Sequence, residues 1–122
     1  RLKEDYDKAL YYLNEALKRD NKNEDFLIER SNIYVDIKLY PKAIDDLTCA
    51  LNTKQNDPRI LYKRGLAYYK NKEFKKAIKD LYTALENNPF ETYIADIYYH
   101  LGISYANLDM FEKALAPLSQ AI

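Results

Sequence analysis

The sequence predicts an all-α chain of about seven helices arranged as repeated pairs. Three observations predict it. Apolar residues recur at helical spacing: Leu47, Ala50 and Leu51 lie 4, 7 and 8 residues after Ala43, which puts all four on one helix face. No stretch alternates apolar and polar residues as a half-buried strand would, and the two glycines leave few tight turns. Short polar breaks divide the chain at "RDNKNED" (19–25), "TKQNDP" (53–58) and "ENNPFET" (86–92).

Taken in order, the first helix covers about residues 4–20 and gathers Ala9, Leu10, Leu13, Ala16 and Leu17 on one side. The first polar break ends it, and a second helix over about 24–37 carries Ser31 and Tyr34. The third, about 41–54, holds the Ala43 stripe. The fourth, about 58–71, opens on Pro58, where a missing N–H costs nothing. The fifth, about 74–87, repeats the third as "AIKDLYTALE". Pro89 precedes the sixth, about 92–108, and the seventh covers about 111–122. Pro117 lies past the free first turn of that last helix. Its ring crowds the Lys113 carbonyl and removes that carbonyl's donor, which predicts a kink there or a later helix start.

The pairs are repeats. "ALYYLNEALK" (9–18), "AIDDLTCALN" (43–52), "AIKDLYTALE" (77–86) and "ALAPLSQAI" (114–122) align, and their leading alanines are 34, 34 and 37 residues apart. The small residues Ser31, Gly65 and Gly102 are again 34 and 37 apart, each followed three residues later by Tyr34, Tyr68 or Tyr105. Tyr6, Tyr40, Phe74 and Phe111 each stand three residues before an alanine of the first series.

A two-helix period of 34 residues with these landmarks resembles the tetratricopeptide repeat. The family's leading tryptophan is absent, and Ile28, Tyr62 and Tyr99 lie near its place. The resemblance implies a right-handed α-solenoid of stacked antiparallel helix pairs. It divides the chain into the second helix of an incomplete repeat (1–20), a repeat at 24–57, a repeat with a three-residue extension at 58–94, and a repeat at 95–122 cut short at its C-terminal end. The extension is close to one helical turn of about 3.6 residues, so the sixth helix is expected to begin about a turn early, near Thr92. Two helices cross closely only over small side chains. Gly65 and Ala77 are expected to supply that contact, with Tyr68 and Phe74 filling the wedge and Ala84 and Leu85 meeting the next helix. Replacing Ala77 by leucine should overpack the crossing and cost about 1–3 kcal/mol, readable in a denaturant titration.

Composition narrows the function. Lys+Arg and Asp+Glu number 19 each, and a zero balance argues against a general nucleic-acid binder. No apolar run approaches the ~18 residues of a membrane span, and the charged, amphipathic opening has no signal-peptide core. Cys49 is the single cysteine, which fits a reducing, cytoplasmic setting. One histidine and one cysteine cannot build a His/Cys metal site, and no phosphate-binding glycine loop is present. Asp45 and Asp46 are adjacent, point about 100° apart on a helix, and are expected on a solvated face rather than in catalysis. Cys49 borders the packing stripe as a small structural residue. The chain is therefore expected not to be an enzyme, with no cofactor, metal or small-molecule substrate.

In the architecture that the resemblance implies, the first helices of successive repeats line a concave surface. The peptide-binding groove is then expected to use Asn32, Arg59, Tyr62, Lys63, Tyr69, Lys70, Tyr99, His100 and Asn107, with Asp25, Asp36, Leu66, Asp96 and Ile103 alongside. Tyrosine suits such a trough, burying a ring while keeping a polar tip. Tyr34, Tyr68 and Tyr105 sit in the packing register; Tyr62, Tyr69 and Tyr99 are open between packing and exposure. Relatives that hold the C-terminal carboxylates of chaperones use a clamp of Lys, Asn, Asn, Lys and Arg. Arg59 and Lys63 match its last two places in one register, but Glu29 stands where the middle Asn belongs and would repel the ligand. In the other register Asn32 alone survives, with Asp96 and His100 in place of the basic pair. The expected function is a scaffold binding a peptide or helix of a partner protein. The alternative is an array segment that self-associates. The unpartnered face of helix 4–20, and Leu118, Ala121 and Ile122 at the other end, predict a piece of a longer array whose uncapped ends form a homo-oligomer.

Overall fold

The computed structural model describes residues 3–121, with the side chains of Glu4, Phe111 and Glu112 left outside that description. Ile122 and the Phe111 ring, both used in the sequence reading, therefore lie outside the described residues. Among those described there are seven helices and no strand. They form two compact units, Arg1–Gln55 and Asn56–Ile122.

In the first unit α1 (Lys3–Arg19) and α3 (Tyr40–Thr53) both pack on α2 (Glu24–Asp36). Asn23 caps α2, its side-chain oxygen accepting from the Phe26 amide at 3.1 Å. The core is aliphatic: Leu27, Ile28, Ile33, Ala43, Leu47 and Ala50 are buried. Ser31 is buried too, its hydroxyl donating to the Ile28 carbonyl at 2.7 Å. The second unit contains α4 (Pro58–Lys70), α5 (Phe74–Glu86), α6 (Glu91–Asn107) and α7 (Phe111–Ala121). Within it α5 packs between α4 and α6, α4 also touches α6, and α7 packs on α6. α6 is 17 residues long against 13 for α4, and its start at Glu91 places the added turn at the N-terminal end. No helix among the described residues is long and apolar enough to cross a membrane.

Three-residue turns join α2 to α3, α4 to α5 and α6 to α7, and all three have one geometry. Lys38, Lys72 and Asp109 take left-handed φ values of 65°, 63° and 60°. The next amide in each turn reaches back five residues, Leu39 to Tyr34, Glu73 to Tyr68 and Met110 to Tyr105, at 2.7, 2.8 and 2.9 Å. This is the Schellman termination, built here without glycine. The backbone closes the same turn in each pair, with lysine at the left-handed position in two of them and aspartate in the third.

The packing corrects several sequence expectations. Gly65 does provide a close crossing, but its neighbours are Leu81 and Asp80: a Cβ there would stand 2.9 Å from Leu81 Cγ and 3.4 Å from Asp80 Cβ. Ala77 is fully buried, although it is not among the atoms nearest to that Cβ. Phe74 meets the ring of Tyr69 at 5.7 Å. Tyr68 lies under two cations, the Arg64 guanidinium at 5.6 Å and Lys76 Nζ at 5.7 Å from its centroid. α7 runs unbroken from Phe111 to Ala121 through a buried Pro117, so it does not start late.

The largest correction concerns Asp46. Asp45 is exposed, but Asp46 is only 5% exposed and receives Arg30 in a bidentate pair, Nε to Oδ2 at 2.8 Å and Nη2 to Oδ1 at 2.6 Å. The second unit repeats the arrangement between Arg64 and Asp80, at 2.7 and 2.8 Å. The hydrogen bonds to the carboxylates hold both guanidinium groups above their ordinary pKa, against the opposing effect of burial. Tyr34 copies Tyr68, with Arg30 and Lys42 each 5.7 Å from its ring. The pairs α2–α3 and α4–α5 are thus each pinned by one buried fork-to-carboxylate contact beside one cation-flanked tyrosine.

Candidate protein-binding face

Helices α4 and α6 bring together most of the residues singled out for the groove. Tyr62 comes from the first turns of α4 and stacks on Tyr93 of α6, with ring centroids 4.5 Å apart and planes 13° apart. Its phenol donates a hydrogen bond to Asp96 Oδ2. Burial and that bond push the phenol well above its usual pKa, so Tyr62 stays a neutral donor. One turn further along α6, His100 Nδ1 lies 2.9 Å from the Asp96 carbonyl and 3.4 Å from Asp96 Oδ2. Facing a carbonyl oxygen, Nδ1 must carry the proton. The His100 ring meets the edges of Tyr69 at 5.3 Å and Tyr99 at 5.2 Å. Phe90, 5.9 Å from Tyr93, extends the seam at its upper end, and Phe74 behind Tyr69 at its lower.

The remaining groove residues are placed differently. Arg59 and Lys63 are half-buried on α4, and Lys70 is exposed in its last turn. Asn107 is exposed, with its amide folded back on its own helix, 2.7 Å from the Ile103 carbonyl. Asn32 is half-buried on α2, in the first unit. Of the three tyrosines open between packing and exposure, Tyr62 and Tyr69 are half-buried in the seam and Tyr99 is 48% exposed.

Two residues gained a role that sequence reasoning missed. Tyr93 lies in the three-residue extension, outside the aligned landmarks, so no period pointed to it. Asp96 was visible on the trough but not as the acceptor for Tyr62, since the two stand out of phase with the 37-residue offset between their repeats. Asp96 and Tyr99 also open onto a cavity of about 690 Å³, which Thr92 and Ala95 of α6 and Leu118 and Ala121 of α7 complete. Among the described residues, no three His, Cys, Asp or Glu side chains gather into a metal site.

Family comparisons agree with the geometry. Residues 58–90 match the family profile described as tetratricopeptide repeat, and residues 31–72 match a second described as TPR repeat. A crystal structure of MamA is 30% identical and superposes with a TM-score of 0.88, covering 98% of this chain and 68% of the MamA chain. The chain belongs to the tetratricopeptide-repeat family. A MamA from Desulfovibrio magneticus RS-1 is 21% identical with a TM-score of 0.85, covering 96% of this chain and 64% of its own. The Sgt2 TPR domain from Aspergillus fumigatus is 24% identical with a TM-score of 0.70, over 80% of this chain and 63% of that one. These two likenesses speak for the all-α repeat fold alone. The chain spans about two thirds of the length of the MamA structures that it matches. No curated protein sequence matches it. Membership of this repeat family supports a protein–protein interaction scaffold as the coarse function.

Proposed function

We propose that this tetratricopeptide-repeat chain binds a peptide or helix of a partner protein along the face shared by α4 and α6. The observation that carries the reading is the seam itself. Tyr62, Tyr93, Asp96, His100 and Tyr69 hold one another in fixed orientations, and Tyr99 projects from them with half its surface in solvent. A rigid aromatic on a preordered base loses little entropy on binding, which is what an interface anchor requires. The second reading is self-association of the array. Exposed apolar surface on α1 favours it: Tyr11 and Tyr12 are 59% and 69% exposed, with rings 5.2 Å apart edge to face.

Photo-crosslinking separates the two. Benzoylphenylalanine in place of Tyr99 should crosslink a partner polypeptide in cell extract, and the same group at Lys79, exposed on α5, should not. Equal capture from both positions would remove the case for the α4–α6 face. A crosslink joining two copies of this chain would favour the array reading.

A further inference from the structure

The cavity beside Asp96 has a chemical preference. Of its six described lining residues, Thr92, Ala95, Tyr99, Leu118 and Ala121 are uncharged, and the sixth, Asp96, is a carboxylate. Oδ2 of that carboxylate accepts the Tyr62 phenol and faces His100 Nδ1 at 3.4 Å. The Asp96 side chain is 40% exposed. The bond from Tyr62 comes from a neutral donor, so it orients the carboxylate without neutralising it. Three residues along the same helix, the half-exposed Tyr99 lines the same cavity and offers an aromatic ring to a cation.

Resting on the protein-binding reading above, we infer that this cavity takes an arginine or lysine side chain carried on an otherwise apolar segment of the partner, and turns acidic segments away. The cation would sit between the Asp96 carboxylate and the Tyr99 ring, while neighbouring aliphatic side chains cover Leu118, Ala121 and Ala95. A partner carboxylate would be desolvated against Asp96, with no basic residue among the described lining to receive it. The preference belongs to this repeat rather than to the repeat pattern: 37 residues earlier, where Tyr62 corresponds to Tyr99, the position of Asp96 is held by Arg59.

The test uses three fluorescent alanine- and leucine-rich helical peptides that differ only at a central arginine, citrulline or glutamate, with anisotropy read at physiological ionic strength. The arginine peptide should bind about tenfold tighter than the citrulline peptide, and the glutamate peptide weakest, as expected for a charge-assisted contact in a partly buried site. Asp96→Asn keeps an oxygen to accept the Tyr62 phenol, so it should preserve the melting temperature while erasing the difference between arginine and citrulline. Asp96→Lys should reverse the order in favour of glutamate. Equal binding of arginine and citrulline peptides, no binding by any of them, or a preference that survives Asp96→Asn overturns the inference. If Tyr99 still crosslinks a partner in those cases, the protein-binding reading stands without it; if Tyr99 also fails, both fall.

Discussion

Replacing Asp80 with alanine should cost the second unit about 3 kcal/mol, and replacing Arg64 with leucine in the same chain should restore most of it. The first change takes the carboxylate away from a guanidinium that is 20% exposed, and the hydrogen bonds at 2.7 and 2.8 Å go with it. Removing one member of a buried pair leaves an uncompensated charge, which is far more costly than removing both. The chain already contains the apolar version. In the third pair of helices, 37 residues on from Arg64 and Asp80, stand Leu101 and Pro117, both buried. Urea titrations of the two variants read the result. If the double variant were no more stable than Asp80→Ala, the pair's main role would be something other than mutual neutralisation.

The second large effect is expected at Gly102. A Cβ built there falls 2.3 Å from Leu118 Cγ and 2.6 Å from Cδ2, a deeper overlap than the 2.9 and 3.0 Å found between Gly65 and Leu81. Alanine is favoured over glycine in a helix by about 1 kcal/mol. Overpacking at a helix crossing costs about 1–3 kcal/mol. With contact this close the steric cost should win, so Gly102→Ala should lose about 1–2 kcal/mol and lower the melting temperature. In a Leu118→Ala background the obstructing atoms are gone, and the same substitution should turn neutral or stabilising. A Gly102→Ala chain that melted higher than the parent would show that α6 and α7 separate at little cost.

Much of the fold was legible because small and aromatic residues recur in step. The predicted helix starts at residues 24, 58, 74 and 111 coincide with those of α2, α4, α5 and α7, and the early start of α6 came from reading a three-residue surplus as one turn. The small-residue series identified Gly65 and Gly102 as crossing points. It did not show that Leu81 and Asp80 stand nearest to the Gly65 position, because periodicity gives the face of a helix but not the offset at which two ridges interlock. Asp46 was misread for a related reason. Charge placed it in solvent, whereas the signal to weigh was that Arg30 and Arg64, and Asp46 and Asp80, are each 34 residues apart, in phase with the apolar landmarks. Charged residues that keep the packing period belong to the packing. At the site, the aromatic character of the trough was readable, but its division into braced and projecting rings was not.

By itself, then, the sequence determined that the chain is helical, where its helices begin, and that the pairs repeat. Those properties follow from local spacing and turn chemistry, which act over a few residues and recur in register. Only the tertiary structure decided that Tyr62 is locked against Tyr93 and Asp96, that Tyr99 is left projecting, and that Asp96 lines a mostly apolar cavity. Those outcomes depend on the rotation and offset of α4, α6 and α7 against one another, which are set by side-chain volumes meeting across helices.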